Sequence, residues 1–553
     1  MGGKVLSDKK QIDIEEYGTQ SLWKILQENN ICVSHVCNGN GTCGKCKVKV
    51  VAGNLPITEA DRRCLSVKEL EQGIRLACRV KNIGASKEED IVIEVIENAE
   101  DSIVIEGIEK KEHNMLAENS NNITDLNSYF VAIDIGTTTI AMALVHGQTG
   151  EVCETYTSLN HQRMYGADVL SRITIANNGK LEELKRVIEE DLQQGIAALL
   201  QVVNDKNMGT QVGIKGDIQK ESVISRIVIS GNTTMIHLLM GYSCETLGKA
   251  PFVSQYLGRI EYSLQGITTT ILPGIAAFVG ADVVAGLLAC PGFETEEISL
   301  LIDLGTNGEM VLGNKDKLAA TSAAAGPAFE GGNIVCGTAS IPGSISKVKI
   351  QNQRAVVKTI QDKMPPVGIC GTGLISAISQ LRQNKLLDEQ GELKLPYHKQ
   401  GYPLWISEDG NRIAIYQQDI REFQMAKSAI RAGIEILMEE YGCTAKEISN
   451  VYLAGGFGVN LSEEEAICTG ILPKEFEGKI KSIGNGALKG SLYYGLEKEK
   501  KMNVIETSSE NQKARITIDK KIEEIKKRAT YISLAENSRF YRKYMQYLNF
   551  PVL

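Results

Sequence analysis

Two stretches of this chain are similar enough to predict two related lobes. Residues 131–144 read VAIDIGTTTIAMAL, and residues 300–312 read LLIDLGTNGEMVL. Each is an apolar run with one acid, a Gly-Thr turn and a second apolar run, so each predicts a β-hairpin whose turn can wrap phosphates. The alignment, at one constant offset, gives three pairs: Asp134 with Asp303, Gly136 with Gly305, and Thr137 with Thr306.

Three later glycine-rich stretches each predict a turn from a strand into a helix. They read GICGTGLISAI at 368–378, VYLAGGFG at 451–458 and IGNGALKG at 483–490. The first N–H groups of a helix have no partner within it, so a helix that begins at such a turn can bind an anion. These stretches are candidates for the rest of a phosphate site.

Charge and composition exclude several functions. The 553 residues carry a formal net charge of −8, with Lys and Arg scattered along the chain, so we expect no nucleic-acid partner. The charged N-terminus lacks the apolar core of a signal peptide, which predicts a cytoplasmic protein. The longest apolar run, 271–290, is interrupted by Pro273, Gly274, Gly280 and Asp282. It predicts a buried strand, a turn and a helix, and no membrane span.

Cysteines cluster near the N-terminus. The stretch VCNGNGTCGKC at 36–46 contains Cys37, Cys43 and Cys46, and Cys78 follows after a long gap. Thiols of a cytosolic chain stay reduced, so such a cluster indicates a metal. Three ligands on one loop and a fourth on a returning segment resemble the [2Fe-2S] ferredoxins, and the five-residue first gap resembles their adrenodoxin-like branch. The loop glycines allow backbone N–H groups to approach the cluster sulfurs.

Two other interpretations of this stretch are less favoured. Zinc is an alternative, but zinc sites use two short Cys/His pairs and only Cys43 and Cys46 form one. The segment GNGTCGKC also resembles a Walker A loop. Cys46 stands where Ser or Thr must bind magnesium, and no apolar strand precedes the loop, so we exclude a P-loop.

The surrounding pattern predicts four parts. KQIDIEE, KCKVKVVAG and DIVIEVIE predict strands and SLWKILQENN predicts a helix, which together indicate a β-grasp ferredoxin. A polar, Asn- and Glu-rich stretch follows and predicts a linker. The predicted parts are a ferredoxin domain at 1–97, a linker at 98–128, a first lobe at 129–297, and a second lobe with a C-terminal helical tail at 298–553.

The two hairpins and the glycine turns together resemble the ASKHA superfamily of acetate and sugar kinases, Hsp70 and actin. The resemblance implies two RNase H-like lobes that close on ATP and Mg²⁺. The predicted fold class is therefore an α+β and α/β multidomain protein, with a β-grasp [2Fe-2S] ferredoxin followed by an ASKHA fold.

The resemblance also implies roles for individual residues. Asp134 and Asp303 would hold the water shell of Mg²⁺, and Glu309 or Glu330 could orient the attacking water or serve lobe packing. The phosphates would be contacted by the turn residues Gly136, Thr137, Thr138, Thr139, Gly305, Thr306 and Asn307, and by Gly371, Thr372 and Gly373. Gly455 and Gly456 would pack against adenosine.

The whole chain resembles the reductive activators of corrinoid proteins. The stretches that carry this resemblance are NHQRMYGADVLSRI at 160–173, ISGNTTMIHLLMG at 229–241, SAAAGPAFEGG at 322–332 and YISLAENSRFYRKYMQYLNFP at 531–551. His161 departs from the proline usual in that family, while Gly166, Asp168 and Arg172 keep its pattern. No cysteine follows Cys468, so the N-terminal [2Fe-2S] form of the family is the match.

This resemblance implies ATP-dependent reduction of an inactive Co(II) corrinoid protein to Co(I). The partners it implies are a corrinoid protein of a methyltransferase system and an external low-potential donor such as a ferredoxin or flavodoxin, and it leaves room for a homodimer. Two alternatives stay open at this point. One is a small-molecule kinase with a regulatory ferredoxin domain, and the other is an activator of a radical dehydratase or reductase.

Overall fold

The computed structural model describes most of the chain from residue 128 onward and parts of the N-terminal region. The described residues are 3–7, 10–14, 20–28, 33, 44, 46–53, 55–65, 67–81, 91–95, 128–166, 168–209, 223–361, 364–407, 410, 412–455, 461–503 and 517–553. The chain divides into two compact units. One is Met1–Asp101 with His161–Lys180, and the other is Ser102–Asn160 with Leu181–Leu553.

The first unit contains a five-stranded sheet in the order β2-β1-β5-β3-β4. Its strands are β1 (Gly3–Ser7), β2 (Lys10–Ile14), β3 (Lys47–Ala52), β4 (Ile74–Leu76) and β5 (Val92–Val95), and its helices are α1 (Leu22–Glu28), α2 (Glu59–Cys64), α3 (Val67–Glu71) and α4 (Val169–Ile175). β1 and β5 are parallel, and the other pairs are antiparallel. Apolar residues of α1, β3, β4 and β5 share one core, as a β-grasp fold requires. The predicted strands and helix are confirmed here.

The 160–173 motif is explained by a buried arginine. Arg172 on α4 is fully buried, and its Nε donates a hydrogen bond of 2.9 Å to the carbonyl oxygen of Gly166. A Cβ on Gly166 would lie 2.8 Å from the backbone nitrogen of Arg172, so glycine is needed at this close approach. Asp168 caps α4 by accepting from the backbone N–H of Ser171 at 2.8 Å. The motif therefore has a structural role within this unit.

The second unit contains two six-stranded sheets, in the orders β10-β11-β9-β6-β7-β8 and β21-β20-β12-β13-β14-β22. The first sheet contains β6 (Ser128–Ile135), β7 (Thr139–His146), β8 (Val152–Leu159), β9 (Val223–Gly231), β10 (Ile260–Leu264) and β11 (Ile267–Ile271). The second contains β12 (Ile298–Leu304), β13 (Gly308–Gly313), β14 (Leu318–Ala323), β20 (Ile448–Ala454), β21 (Ile480–Gly484) and β22 (Ala529–Tyr531). In both sheets an antiparallel three-stranded meander is extended by parallel strands from its first strand.

Two smaller sheets and ten helices complete this unit among the described residues. The small sheets contain β15 (Ser344–Gln351), β16 (Arg354–Thr359) and β17 (Gly368–Ile369), and β18 (Tyr402–Ile406) and β19 (Arg412–Ile415). The helices are α5 (Leu181–Gly209), α6 (Thr233–Met240), α7 (Ala281–Leu288), α8 (Gly371–Gln383), α9 (Tyr397–Gln400), α10 (Gln417–Tyr441), α11 (Glu463–Cys468), α12 (Gly486–Asn503), α13 (Ile518–Arg528) and α14 (Phe540–Gln546).

Helices α7 and α12 connect the two sheets. α12 follows β21 of the second sheet, yet its apolar side shares a core with β6 and β7 of the first sheet. α7 packs against α12, and its residues share another core with Leu301 and Val311 of the second sheet. The two helices approach closely, because a Cβ on Gly490 of α12 would lie 1.8 Å from the carbonyl oxygen of Ala285. Both sheets are thus tied to one helix pair.

The C-terminal segment is bound to α10 through its backbone. The Nζ of Lys427, which is buried, donates to the carbonyl oxygens of Tyr547 and Asn549 at 2.5 and 2.7 Å. Arg382 Nη2 donates to the carbonyl oxygen of Pro551 at 2.7 Å. Cationic donors thereby satisfy carbonyl groups that have no helix or strand partner. The tail that the sequence marked as helical contains α13, the edge strand β22 and α14.

The predicted hairpins and the interrupted apolar run are both found. β6 pairs with β7 and β12 pairs with β13 in antiparallel register. The 271–290 run ends β11 and then forms α7, as expected. None of the helices in the described part of the chain is long and apolar enough to cross a membrane. The predicted linker lies outside the described residues apart from residue 128.

Candidate functional site

The two Gly-Thr turns are built in similar ways. In the first, the backbone N–H of Gly136 donates to the carbonyl oxygen of Thr139 at 2.9 Å. In the second, the backbone N–H of Gly305 donates to the carbonyl oxygen of Asn307 at 2.9 Å. Each turn follows directly on the strand that carries the aspartate, so Asp134 and Asp303 lie beside their own turns.

Four carboxyl groups lie close enough for their charges to interact. The pKa of Asp134 is raised to about 7, chiefly by burial; the donating amide of Asn485 lowers it in part, and the charge of Asp282 adds to the increase. The pKa of Asp303 is also raised to about 7, chiefly by burial and in addition by the negative charges of Asp282 and Asp134. Burial also raises the pKa of Asp282 to about 6 and that of Glu309 well above its usual range. Four acids that repel one another indicate a site that a cation would stabilise.

The chemistry of this acid group fits Mg²⁺ held through water. Magnesium prefers oxygen ligands and commonly retains several of its waters in protein sites. Across the described residues, no three or more His, Cys, Asp and Glu side chains have the geometry to hold a metal directly. The four carboxylates are candidates for the water shell of Mg²⁺: Asp134 and Asp303 as expected, with Asp282 and Glu309 in addition.

Two asparagines connect helix starts to the first hairpin. Asn485 caps α12 by accepting from the backbone N–H of Leu488 at 2.7 Å, and its amide donates to Asp134 Oδ2 at 2.9 Å. Asn232 caps α6 by accepting from Met235 N–H at 3.0 Å, and its amide donates to Thr137 Oγ1 at 3.0 Å. Each side chain uses its oxygen for the helix and its amide for the hairpin, which fixes the orientation of both.

Glu330 lies between the two Gly-Thr turns. Its Oε2 accepts a hydrogen bond from Thr306 Oγ1 at 2.9 Å and another from Thr138 Oγ1 at 3.3 Å. The hydroxyls of the two predicted phosphate turns thus meet on one carboxylate oxygen. Glu309 has a different position, because it stands on β13 directly opposite Asp303 and accepts from Ser322 Oγ at 3.3 Å.

The later glycine turns are found where the described residues cover them. α8 begins at Gly371, and Thr372 and Gly373 are buried in its first turn. The first N–H groups of α8 have no partner within the helix, so they lie where an anion was expected to bind. Gly455 follows β20 with a φ of 99°, and a Cβ there would lie 2.4 Å from the carbonyl oxygen of Leu304 and 3.1 Å from Asp303 Oδ1. Glycine is required at this approach to the second hairpin. Gly456 lies outside the described residues.

The described part of the cysteine site fits a cluster. Cys46 and Cys78 are both buried, and Ala77 N–H donates to the carbonyl oxygen of Cys46 at 2.7 Å, which ties the two ligand segments together. Gly44 has a φ of 68°, and a Cβ there would lie 3.1 Å from Cys64 Cβ. The close approach and the positive φ both favour glycine here, as expected for a tight loop around a cluster. Cys37 and Cys43 lie outside the described residues.

Comparison with known proteins decides the family. Three domain families match: a 2Fe-2S iron-sulfur cluster binding domain at 5–81, the RACo middle region at 129–293, and the C-terminal domain of RACo, the ASKHA domain, at 297–553. The chain is similar to the corrinoid activation enzyme RamQ of Eubacterium limosum, with 33% identity in an alignment of 446 residues and coverage of 75% of this chain and 69% of that protein. This chain belongs to the corrinoid activation enzyme family.

Two further corrinoid activation proteins support the assignment. The chain is 26% identical over 416 residues to a [Co(II) methylated amine-specific corrinoid protein] reductase of Methanosarcina barkeri, over 68% of this chain and 72% of that one. A solved structure, described as a reductive activator for corrinoid, iron-sulfur protein, covers 99% of this chain and 98% of its own, with a TM-score of 0.65 and 26% identity. The predicted family and fold class are confirmed.

Family membership also confirms the predicted cofactors. The match to a 2Fe-2S binding domain identifies the N-terminal part as a [2Fe-2S] carrier, and the ASKHA domain identifies the C-terminal part as the user of ATP with Mg²⁺. The roles of individual residues and the domain boundaries stay predictions.

Sequence reasoning missed three residues of this corrinoid activation enzyme. From the sequence alone, Asp282 counts only as an interruption of an apolar run. Charged residues are seldom fully buried without a partner, so an acid in such a run is also a candidate functional residue. Asn232 and Asn485 stand within glycine-containing turns between strand and helix, and the N-cap position of each would have been predictable. The contact of their amide groups with the first hairpin depends on tertiary packing. Nothing in the sequence around either asparagine predicts it.

Proposed function

We propose that this corrinoid activation enzyme uses ATP hydrolysis to drive the transfer of one electron from its [2Fe-2S] cluster to the cobalt of a corrinoid protein, reducing Co(II) to Co(I). The observation that carries the proposal is the presence, in one chain of this family, of a 2Fe-2S domain and of two Gly-Thr hairpins, one in the RACo middle region and one in the ASKHA domain. The 2Fe-2S domain supplies an electron, and the hairpins supply a nucleotide-dependent change in conformation.

The energetics explain why both parts are needed. Plant-type [2Fe-2S] centres have potentials near −400 mV, and the Co(II)/Co(I) step lies at a very low potential. For a one-electron transfer, each ~59 mV of unfavourable gap lowers the equilibrium constant tenfold, or about 1.4 kcal/mol. ATP-driven closure and opening of the lobes can change the conformation or cobalt ligation of the corrinoid protein, or separate the products.

For ATP, we assign the four carboxylates to the water shell of Mg²⁺. Asp282 lies at the first turn of α7, where burial raises its pKa to about 6. The phosphates would lie on the Gly136–Thr139 and Gly305–Asn307 turns and at the start of α8. Gly455 and Gly456 would face adenosine.

For the electron, we assign Cys37, Cys43, Cys46 and Cys78 as the cluster ligands. A [2Fe-2S] cluster held by these thiolates would supply one-electron transfer. The chain contributes the buried environment of Cys46 and Cys78 and the Ala77 hydrogen bond that holds their segments together. The proposed electron donor is an external ferredoxin or flavodoxin, and the proposed acceptor is a corrinoid protein of a methyltransferase system. We also propose that the protein acts in the cytoplasm, with a homodimer as its candidate oligomeric state.

Helix α12 is the proposed link between hydrolysis and conformation. It starts at β21 of the second sheet, its cap residue Asn485 donates to Asp134, and its apolar side covers the first sheet. When phosphates draw the two hairpins together, the carboxylate that Asn485 binds moves with them. Such a motion would be transmitted along α12 and α7 because both pack between the sheets.

The proposal is tested by mixing the purified holoprotein, ATP, Mg²⁺, a reductant and a Co(II) corrinoid protein, and recording the Co(I) absorption spectrum. Co(I) should form only with ATP. Cys43→Ala should abolish the cluster absorption and Co(II) reduction but keep nucleotide binding. Asp303→Ala should lose the Mg²⁺-dependent part of nucleotide binding and hydrolysis but keep the cluster absorption. Full Co(II) reduction by Cys43→Ala would contradict the electron route.

The kinase alternative is tested in the same samples. A kinase transfers the terminal phosphate to a small molecule and does not need the corrinoid protein. We expect ATP consumption to increase on addition of the Co(II) corrinoid protein and to yield inorganic phosphate as the phosphorylated product. A phosphorylated small molecule formed at the same rate without the corrinoid protein would favour the kinase.

A further inference from the structure

The carboxylate of Glu330 is held in place by a rigid turn. Glu330 ends the short helical turn Pro327–Glu330, which lies between Gly326 and Gly331, with φ angles of 77° and 79°. A Cβ on Gly331 would lie 2.3 Å from the carbonyl oxygen of Thr338, so the turn and the following loop are in close contact. Phe329 is buried in the core of the second sheet, where it contacts Phe423 edge to face. The backbone of Glu330 is therefore well fixed.

Three predicted phosphate-binding segments surround this turn. Both Gly-Thr turns reach Glu330 Oε2 through Thr138 and Thr306, and a Cβ on Gly305 would lie 3.7 Å from Glu330 Oε1. The third segment is the start of α8. A Cβ on Gly371 would lie 1.9 Å from the carbonyl oxygen of Phe329, the residue before Glu330. A negatively charged side chain thus lies among segments whose donors suit an anion.

Counting protons shows that the carboxylate and a phosphate compete. A threonine hydroxyl has one proton to donate. Phosphate oxygens and carboxylate oxygens are both acceptors, so Thr138 and Thr306 can each donate to Glu330 or to a phosphate at one time, and not to both. Two anions in contact also repel one another at short range.

The competing group is most readily the terminal phosphate of a nucleoside triphosphate. A terminal phosphate has three non-bridging oxygens, so it can accept from donors on two opposing turns at once. An internal phosphate has only two such oxygens and is held on both sides by its neighbours in the chain. The outer phosphate of a diphosphate also has three such oxygens, so the discrimination rests on position: without the third phosphate, the place between the two turns stays empty and the threonines stay with Glu330.

From this geometry we infer that Glu330 is a built-in competitor for the terminal phosphate of ATP and lowers the preference of the site for ATP over ADP. The inference rests on the proposed function, because it takes ATP as the ligand. After hydrolysis and release of the cleaved phosphate, the carboxylate regains both threonines. Because Glu330 competes with the cleaved phosphate for these two donors, it favours departure of that phosphate and leaves ADP unaffected.

Binding measurements on Glu330→Gln test the inference. Calorimetry on the full-length holoprotein would use Mg²⁺ with ADP or with a non-hydrolysable ATP analogue. We expect the triphosphate analogue to bind about tenfold more tightly than to wild type, equivalent to about 1.4 kcal/mol, and ADP to change by less than about twofold. Glu330→Ala should show the same direction, which separates loss of the competitor from a new contact made by the glutamine amide.

A matched control tests whether any carboxylate that accepts from a hydroxyl would behave this way. Glu499 Oε1 accepts from Ser225 Oγ at 2.9 Å near the far end of α12 and also lies 3.8 Å from Arg226 Nε, so Glu499→Gln alters another carboxylate that accepts from a hydroxyl. It should leave both nucleotide affinities unchanged. In a Thr306→Val background, the gain from Glu330→Gln should shrink, because one of the contested donors is then absent.

Two outcomes would overturn the inference while leaving the proposed function intact. One is triphosphate affinity in Glu330→Gln that is equal to or weaker than wild type. The other is tighter binding of ADP and the triphosphate by the same factor, which would mean that Glu330 does not discriminate the terminal phosphate. A wild-type protein that binds neither nucleotide would instead contradict the proposed function.

Discussion

The two Gly-Thr hairpins share a sequence pattern and a strand order but differ in what surrounds their aspartates. On the first hairpin, Asp134 stands opposite Ala141 and accepts a hydrogen bond from the Asn485 amide. On the second, Asp303 stands opposite another acid, Glu309, and within the described residues no side chain donates to it. The first aspartate is held by a neutral donor, and the second is set against a like charge.

This difference indicates that the two halves of the repeat have separate tasks. The first hairpin is a scaffold, because Thr137 and Asp134 are held by asparagines that also start helices α6 and α12. The second hairpin carries excess negative charge, which needs a cation for full ionisation. We therefore expect changes on the second hairpin to act on Mg²⁺ and hydrolysis directly, and changes around the first to act through the position of Asp134.

The largest expected effect comes from the second hairpin. Asp303→Asn removes one of the acids proposed to hold the water shell of Mg²⁺, while keeping side-chain size. We expect ATP hydrolysis in the presence of the corrinoid protein to fall by roughly 10²–10³-fold, as is typical for loss of one group that stabilises charge in the transition state. Phosphate release measured under saturating ATP would test this, with the cluster absorption as the check on folding. A change of less than about threefold would remove Asp303 from the metal site.

A second prediction concerns pH, because metal binding needs ionised carboxylates. With the pKa values of Asp134 and Asp303 near 7 and that of Asp282 near 6, these groups hold protons below pH 6 and must release them to Mg²⁺. Mg²⁺ affinity should therefore rise with pH, by up to about tenfold per unit for each proton released, and become constant above about pH 8. Calorimetry in two buffers of different ionisation enthalpy would count those protons.

The same experiment on Asp303→Asn sharpens the comparison between the hairpins. Removing that charge lowers the repulsion on Asp134, so its proton is lost at lower pH and the rise in Mg²⁺ affinity should be shallower. All affinities would be measured in buffers of matched ionic strength. If the wild-type affinity for Mg²⁺ did not change between pH 5.5 and 8.5, these carboxylates would not bind the metal.

A third prediction separates the scaffold of the first hairpin from its helix cap. Asn485→Asp keeps the oxygen that caps α12, since Asp and Asn are equally good caps, but replaces the donor to Asp134 with a second negative charge. We expect about a tenfold loss of hydrolysis and an increase in the Asp134 pKa. Asn232→Asp is the matched control, because its partner is the Thr137 hydroxyl, which can reverse and donate to the new carboxylate.

The two variants should therefore differ although each replaces a capping asparagine by aspartate. Equal losses in Asn485→Asp and Asn232→Asp would mean that a general change in charge near the phosphates explains both. Equal unfolding midpoints of the two variants would confirm that neither cap was lost.

Local patterns made much of this molecule predictable. The repeat around Asp134 and Asp303 predicted two sheets of similar topology, because strand periodicity and a Gly-Thr turn are short-range features. The start of α8 at Gly371 was predictable for the same reason. The crossing of α12 from the second sheet to the first was not, since nothing in its own sequence says which sheet its apolar side will cover.

The unpredicted part of the site consists of contacts between distant segments. Asp282 reaches the aspartates of both hairpins only because α7 begins between the sheets, and Asn485 reaches Asp134 only because α12 does the same. Glu330 could be proposed from its motif, but the convergence of Thr138 and Thr306 on one of its oxygens required the structure. Sequence separation hides such contacts because they are fixed by packing of whole elements.

The smallest expected effect uses the paired glycines of the repeat. A Cβ on Gly136 would lie 2.8 Å from the carbonyl oxygen of Thr139, which is backbone and cannot move aside easily. A Cβ on Gly305 would have no neighbour nearer than 3.7 Å, an ordinary contact distance. Gly136→Ala should therefore lower the free energy of unfolding by about 1 kcal/mol, and Gly305→Ala should change it by less than about 0.5 kcal/mol. Urea unfolding followed by circular dichroism would measure both. Equal destabilisation would show that the two turns are as alike in their packing as they are in sequence, and the division between scaffold and charged hairpin would then rest on the polar side chains alone.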